Sequence, residues 1–271
     1  MRLRIIDAFT DRPFAGNPAG VVLLDAFPED ARLQLIAAEV NLSETAFAHP
    51  LPPGGEADWA LRWFTPRCEV DLCGHATLAT AHALTADGRA RADGVPLRFA
   101  TRSGVLTAAP NGGGHTLDLP TAPLTEEELP AGLAEALGTV PLSVHDTGPH
   151  CGDLLLELPG EKAVRELAPD HRGLVRHSRR GVVVTARADD PAAGYDFVSR
   201  GFFPRVGIDE DPVTGSAHTA LAPFWSARLG RDRLTGLQGG ARTGIVRTEL
   251  RGDRTLLTGD AVTVFDGAIL A

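Results

Sequence analysis

Most apolar positions in this chain fall in short runs bounded by Gly, Pro, Asn and Asp, which is the pattern of strands separated by turns. Leu3 to Phe9, Val21 to Leu24, Thr45 to Ala48 and Trp59 to Phe64 predict strands, and so do Leu97 to Ala100, Val105 to Ala109 and Thr116 to Leu119. Pro13 to Gly20 reads as a turn-rich loop. Leu33, Ile36, Ala37 and Val40 recur at helical spacing, with Pro28 at the first helical position and an end near Asn41. Glu44 therefore lies where a helix hands over to a strand. Gly74 to Leu84 is small and largely apolar on all sides, as a buried helix is. Later come a short helix near Ala163 to Leu167 and strands at Val182 to Thr185 and Tyr195 to Phe203. A second apolar helix follows Ser216, with Pro223 a kink and Gly230 a stop. Strands from Gly244 to Arg251, Thr255 to Leu257 and Ala261 to Phe265 close the chain. Many strands with one central helix per half predict an α+β protein of two lobes, each a curled sheet around its helix.

The two halves repeat one plan. Arg62-Trp-Phe-Thr-Pro-Arg67 matches Arg200-Gly-Phe-Phe-Pro-Arg205, and Cys73-Gly-His-Ala76 matches Thr214-Gly-Ser-Ala217. The offsets are 200 − 62 = 138 and 215 − 74 = 141, so three residues are inserted between the two anchors in the second copy. This is an internal duplication, with Pro120-Thr-Ala-Pro123 the best linker. The expected lobes are residues 1–119 and 120–271, with a C-terminal strand at about 261–271 returning to the first.

Asp211-Pro-Val-Thr-Gly-Ser-Ala-His218 places a carboxylate, a hydroxyl and a helix start within a few residues. Pro212 and Gly215 suit a turn, and the free amides of the first helical turn bind anions. Two such starts facing each other across a cleft would hold a small anion from both sides.

Composition narrows the function classes. A chain of 271 residues with 43% hydrophobic and 23% charged residues has a core of ordinary globular type. The net charge of −9 argues against nucleic acid or an anionic membrane as partner. Three cysteines form no disulfide framework and predict free thiols. No secretory or membrane-spanning run is visible, so the default is a cytoplasmic protein. There is no phosphate loop, dinucleotide fingerprint or His-Glu-x-x-His, and Cys68 and Cys73 lack the further ligands of a zinc site. Asn111-Gly-Gly-Gly-His115 reads as a hairpin turn.

Gly16-Asn-Pro-Ala-Gly20, Asn41-Leu-Ser-Glu-Thr45, Phe64-Thr-Pro66, Asp71-Leu-Cys-Gly-His-Ala-Thr77 and the Asp211–His218 segment together resemble the PhzF-like family of phenazine-biosynthesis isomerases. The resemblance runs in order over nearly the whole chain. It implies the diaminopimelate-epimerase-like fold, with two pseudo-symmetric lobes, each a barrel-like sheet around a central helix. It also implies no cofactor, no metal, a homodimer and a small carboxylate-bearing substrate. The family's acid/base glutamate falls on Glu44, its histidine on His75, and its aspartate and serine on Asp211 and Ser216. The reaction implied is isomerisation of a dihydro-hydroxyanthranilate by moving a proton between ring carbons. One segment departs: where the family has Glu-Gln-Gly and then Gly-Arg-Pro-Ser, this chain has Leu237-Gln-Gly239 and Ala241-Arg-Thr-Gly244, which leaves the substrate or dimer contacts there open.

The residue types suit that chemistry. A glutamate partly removed from water can take a proton and return it. His75 and Asp211 are candidates to polarise substrate and relay protons, or else a helix-start hydrogen-bonder and a turn aspartate. Asn17 is a substrate contact or a plain turn residue. Gly74, Gly215, Ser216 and Ala217 offer substrate their backbone amides, while Ser216 has capping its own helix as the alternative. A second reading uses Cys73 with Thr214, as in thiol-dependent amino-acid or hydroxyproline epimerases and dehydratases of the same fold; as the bland alternative, Cys73 is a small buried residue. A third is a family member that binds a small molecule without turning it over.

Overall fold

The chain folds, in a computed structural model that describes residues 1–90, 94–190 and 192–270, as two units. One holds Met1–Asp118 with Thr258–Ala271, the other Leu119–Leu257. Ala271, the end of the expected returning strand, lies outside the described residues.

In the first unit, β1 (Arg2–Ala8) pairs antiparallel with β2 (Asn17–Leu23), and β2 runs parallel to β3 (Glu44–Pro50). A parallel neighbour needs a crossover, and α1 (Asp30–Val40) supplies it. β3 pairs antiparallel with β4 (Trp59–Phe64), which continues to β5 (Glu69–Val70). After α2 (Gly74–Ala86) comes β6 (Leu97–Thr101), parallel to β4, then the hairpin β7 (Gly104–Asn111) and β8 (Gly114–Pro120). The hairpin turns on Gly112-Gly113, as Asn111-Gly-Gly-Gly predicts. Leu33, Ile36 and Ala37 of α1 pack on Leu3, Val22, Phe47 and Phe64 of the sheet. α2 is buried around its circumference, Leu78 and Leu84 fully so; each such leucine contributes about 2 kcal/mol of burial.

The second unit holds β9 (Thr125–Glu127), α3 (Leu133–Leu137), β10 (Ser143–Asp146), α4 (Gly148–Cys151), β11 (Asp153–Glu157), α5 (Glu161–Arg165) and α6 (His171–Leu174). It continues through β12 (Gly181–Arg187), β13 (Phe197–Phe203), β14 (Ile208–Asp211), α7 (Gly215–Leu229), β15 (Arg233–Gln238) and β16 (Gly244–Arg251), and the boundary between the units falls within β17 (Arg254–Gly259). The last strand, β18 (Ala261–Ala268), belongs to the first unit and pairs antiparallel with β1. Strands far outnumber the long helices, so the fold class is α+β.

Pairing sense repeats between the units. β2–β3 and β11–β12 are parallel, β3–β4 and β12–β13 antiparallel, β4–β6 and β13–β15 parallel. Arg62 clamps Glu69 across β4–β5, with Nε–Oε1 at 2.7 Å. Arg200 clamps Glu210 across β13–β14 at 2.8 Å, so the three inserted residues lie between Arg205 and Glu210.

Two local expectations differ from the fold. β2 begins at Asn17, four residues before the expected Val21, because β1 offers pairing partners from Asn17 onward and β3 from Ala19. Pro18 is tolerated near the strand's start. Pro28 precedes α1, whose first residue is Asp30. Thr147-Gly-Pro-His-Cys-Gly152 forms the single-turn α4.

Candidate functional site

In the first unit the site grows from the start of β3 and the start of α2. Asn41 ends α1 in the left-handed region (φ 53°), which turns the chain so that Glu44 enters β3 as its first residue. Glu44 Oε2 lies 3.4 Å from His75 Nε2, with the Glu44 side chain 14% and the His75 side chain 4% exposed. Ser43 Oγ is 3.5 Å from the same Nε2 and donates to Asn17 Oδ1 at 3.4 Å. On the other side of the ring, Cys73 Sγ is 3.5 Å from Nδ1. Burial pushes the His75 pKa down to about 3, so the ring is neutral at physiological pH. A carboxylate needs a donor, which places the ring proton on Nε2 and lets the Cys73 thiol donate to Nδ1. The polar path is thus Cys73 to His75, and His75 to Glu44 and Ser43.

Asn17 is fully buried at the start of β2, beside Ser43, and is not an exposed turn residue. Gly16 precedes it at φ +63°; a Cβ there would meet the Ala8 carbonyl oxygen at 2.1 Å, so only glycine brings Asn17 into place.

In the second unit the Asp-Pro turn is tied by a residue from the atypical segment. Gln238, fully buried at the end of β15, accepts from Thr214 N through Oε1 (2.9 Å). Its Nε2 donates to the Asp211 carbonyl (3.1 Å) and to Thr214 Oγ1 (2.9 Å). Thr214 Oγ1 in turn donates to Asp211 Oδ2 at 2.7 Å. Thr214 is the residue before α7 and makes no side-chain cap; Ser216 lies inside the first turn and makes none either. The hydroxyl of Ser216 accepts from Arg180 Nη2 at 3.0 Å instead. Gly215 and Ala217 flank it in the first turn of the helix. Gln238 and Arg180 lie 24 and 36 residues from their partners, and no local pattern marks them.

Among the described residues one cluster has metal-ligand atoms close together: those of Glu44, Cys73 and His75 lie within 4.8 Å of one another. One ion takes only one ring nitrogen, whereas here Nδ1 faces the thiol and Nε2 the carboxylate, which is the arrangement of a hydrogen-bonded triad. The three cysteines are free, Cys68 exposed and Cys73 and Cys151 buried. Among the described residues no helix is long and apolar enough to cross a membrane.

The buried histidines make stability sensitive to acid. Burial lowers His75 to about 3, His115 to about 4 and His218 to about 4. The unfolded chain takes up these protons below about pH 6.5, while the folded chain does so only near pH 4 or lower. Stability is therefore full above pH 6.5 and falls as the pH drops through the interval to 4. His218 Nδ1 donates to the Thr214 carbonyl, and its Nε2 is buried without a partner among the described residues. Urea midpoints measured from pH 7.5 to 4.5 should fall less steeply in His218→Leu than in the wild type. Equal slopes would mean that His218 titrates normally in the folded state.

The fold is α+β, and the chain is similar over nearly its whole length to proteins named as isomerases. The chain belongs to the phenazine biosynthesis-like (PhzF) family, whose model, described as "Phenazine biosynthesis-like protein", matches residues 6–267. It is 49% identical over 265 residues to a protein of Pseudomonas aeruginosa named as an uncharacterized isomerase, covering 97% of this chain and 96% of that one. It is 43% identical over 267 residues to an uncharacterized isomerase of Halalkalibacterium halodurans, covering 98% and 97%. The crystal structure of a PhzF-family phenazine biosynthesis protein from Enterococcus faecalis superposes with a TM-score of 0.90 at 38% identity, covering 99% of both chains.

Proposed function

We propose that this protein is a cofactor-independent isomerase that moves a proton between carbons of a small carboxylate-bearing ring, of the cyclohexadiene or anthranilate kind. The observation that carries this reading is the largely buried Glu44 carboxylate against a histidine kept neutral by burial. Glu44 takes a proton from one substrate carbon, becomes a carboxylic acid, and returns the same proton to another carbon. His75 donates to the carboxylate and holds it in one orientation, and being neutral it adds no fixed positive charge of its own that would weaken Glu44 as a base. Asp211 serves as a second proton-handling group, and Gly74, Gly215, Ser216 and Ala217 as donors to substrate. Asn17 acts through Ser43. The reading also takes each unit as a barrel-like sheet around its helix and the protein as a homodimer in the cytoplasm.

Proton NMR of trans-2,3-dihydro-3-hydroxyanthranilate in deuterated buffer tests this. Loss of the starting diene signals with wild-type protein supports the reaction and substrate class. An untouched spectrum after prolonged incubation removes the substrate assignment.

The thiol-dependent reading is disfavoured by the residue opposite Cys73 in the repeat. Thr214 already donates to Asp211 and accepts from Gln238, so its hydroxyl is committed. Cys73→Ser should retain turnover within about threefold, since the serine hydroxyl also donates to His75 Nδ1. Complete loss of activity in that variant, with hydroxyproline or an amino acid consumed by the wild type, would favour the thiol chemistry.

A further inference from the structure

The two units place different side chains at one repeated position. β3 enters with Glu44 opposite Ala19 of β2, and β12 enters with Gly181 opposite Asp153 of β11. Thr45 pairs with Phe64 and Val182 with Phe202, so Glu44 corresponds to Gly181 and Ser43 to Arg180. Ser43 reaches His75, the second residue of α2, and Arg180 reaches Ser216, the second residue of α7. Gly181 admits no carboxylate of its own: a Cβ there would meet the Phe203 ring at 2.0 Å and the Phe202 carbonyl oxygen at 2.7 Å. The second unit thus carries a cation beside the place where the first carries a base.

Arg180 is firmly held. Its Nε donates to Asp153 Oδ1 at 2.8 Å and its Nη2 to Asp153 Oδ2, and Asp153 is 1% exposed. The guanidinium lies 5.1 Å from the centre of the Phe203 ring. Because Nη2 donates to Ser216 Oγ, that oxygen is an acceptor there and its own proton points elsewhere. We infer that Arg180, fixed by Asp153, is a positioning residue that turns the Ser216 hydroxyl into a donor for the substrate carboxylate and sets the positive charge of that end of α7. This rests on the reading of Ser216 as a carboxylate contact. It makes the second unit select singly charged carboxylates over neutral analogues such as the amide.

The test is a double-mutant cycle read at the amide of Ser216 or residue 216. Labelled full-length protein is titrated with anthranilate and, as a minimal carboxylate, with acetate at constant ionic strength. In the wild type at least one of them should shift that amide saturably, and anthranilamide should not. Arg180→Gln and Ser216→Ala should each weaken binding at least about tenfold, and the double variant should lose no more than about twofold beyond the weaker single one. If the proposed substrate turns over, Arg180→Gln should raise KM with kcat within about threefold, and Arg180→Lys should restore part of the loss. Arg180→Gln leaves the buried Asp153 without its cation, so Arg180→Met with Asp153→Asn serves as a charge-free variant whose melting temperature shows that it folds. Wild-type affinity in Arg180→Gln or in the charge-free Arg180→Met, Asp153→Asn variant, fully additive losses, or no amide shift with either carboxylate would overturn the inference. The amide titration does not depend on catalysis: carboxylate binding without turnover removes the substrate assignment and leaves Arg180 in place, and turnover without coupling does the reverse.

Discussion

Glu44→Gln should lower kcat for proton transfer by roughly a hundred- to ten-thousand-fold and leave KM within a few-fold. The amide keeps the size of the carboxylate and still accepts from His75 Nε2, 3.4 Å away in the wild type, so the pocket around it is preserved. It has no basic oxygen to take a proton from carbon. The measurement is the disappearance of the diene protons of trans-2,3-dihydro-3-hydroxyanthranilate by NMR, with deuterium incorporation followed in parallel. A variant that keeps most of its activity would show that another group is the base, and Asp211 would be the next to replace. His75→Asn makes the complementary comparison. It keeps a side-chain donor beside Glu44 and should cost less than Glu44→Gln, because His75 orients the base and does not itself take the proton.

Gln238→Leu should destabilise the protein by about 4 kcal/mol, lowering the melting temperature by roughly 10 °C. The leucine fits the volume, but Gln238 is fully buried and makes three hydrogen bonds to the turn before α7. Its loss removes the Gln238 bonds to the Thr214 amide, the Thr214 hydroxyl and the Asp211 carbonyl, and breaking buried bonds of this kind costs about 1–3 kcal/mol each. The Asp211 side chain, held by Thr214 Oγ1, should lose its orientation in the same step. Urea unfolding followed by tryptophan fluorescence reports the cost. A loss below about 1 kcal/mol would mean that water enters and takes over the three bonds.

That glutamine shows how far local reading reaches. Leu237-Gln-Gly239 stands out from the sequence only as a departure from the family pattern, which says nothing of what it touches. The structure gives the segment a task inside its own unit: it ties the Asp211 turn to the start of α7. Asn17 is a similar case. Asn-Pro after Gly16 has the composition of a turn, yet β1 pairs with this stretch and draws it into a strand, where Asn17 is buried beside Ser43.

The sequence by itself determined the strand-rich pattern, the two apolar helices, the duplication and the ordered motifs that mark the family. These are legible because they rest on short-range periodicity and on residue types within a few positions of one another. The tertiary structure decided which side chains meet. The neutrality of His75 comes from burial, which no spacing encodes. The contacts of Glu44 with His75, Gln238 with Thr214 and Arg180 with Ser216 join residues 24 to 36 positions apart. Such pairs are set by strand register and helix placement, and those follow from burying the whole apolar surface at once.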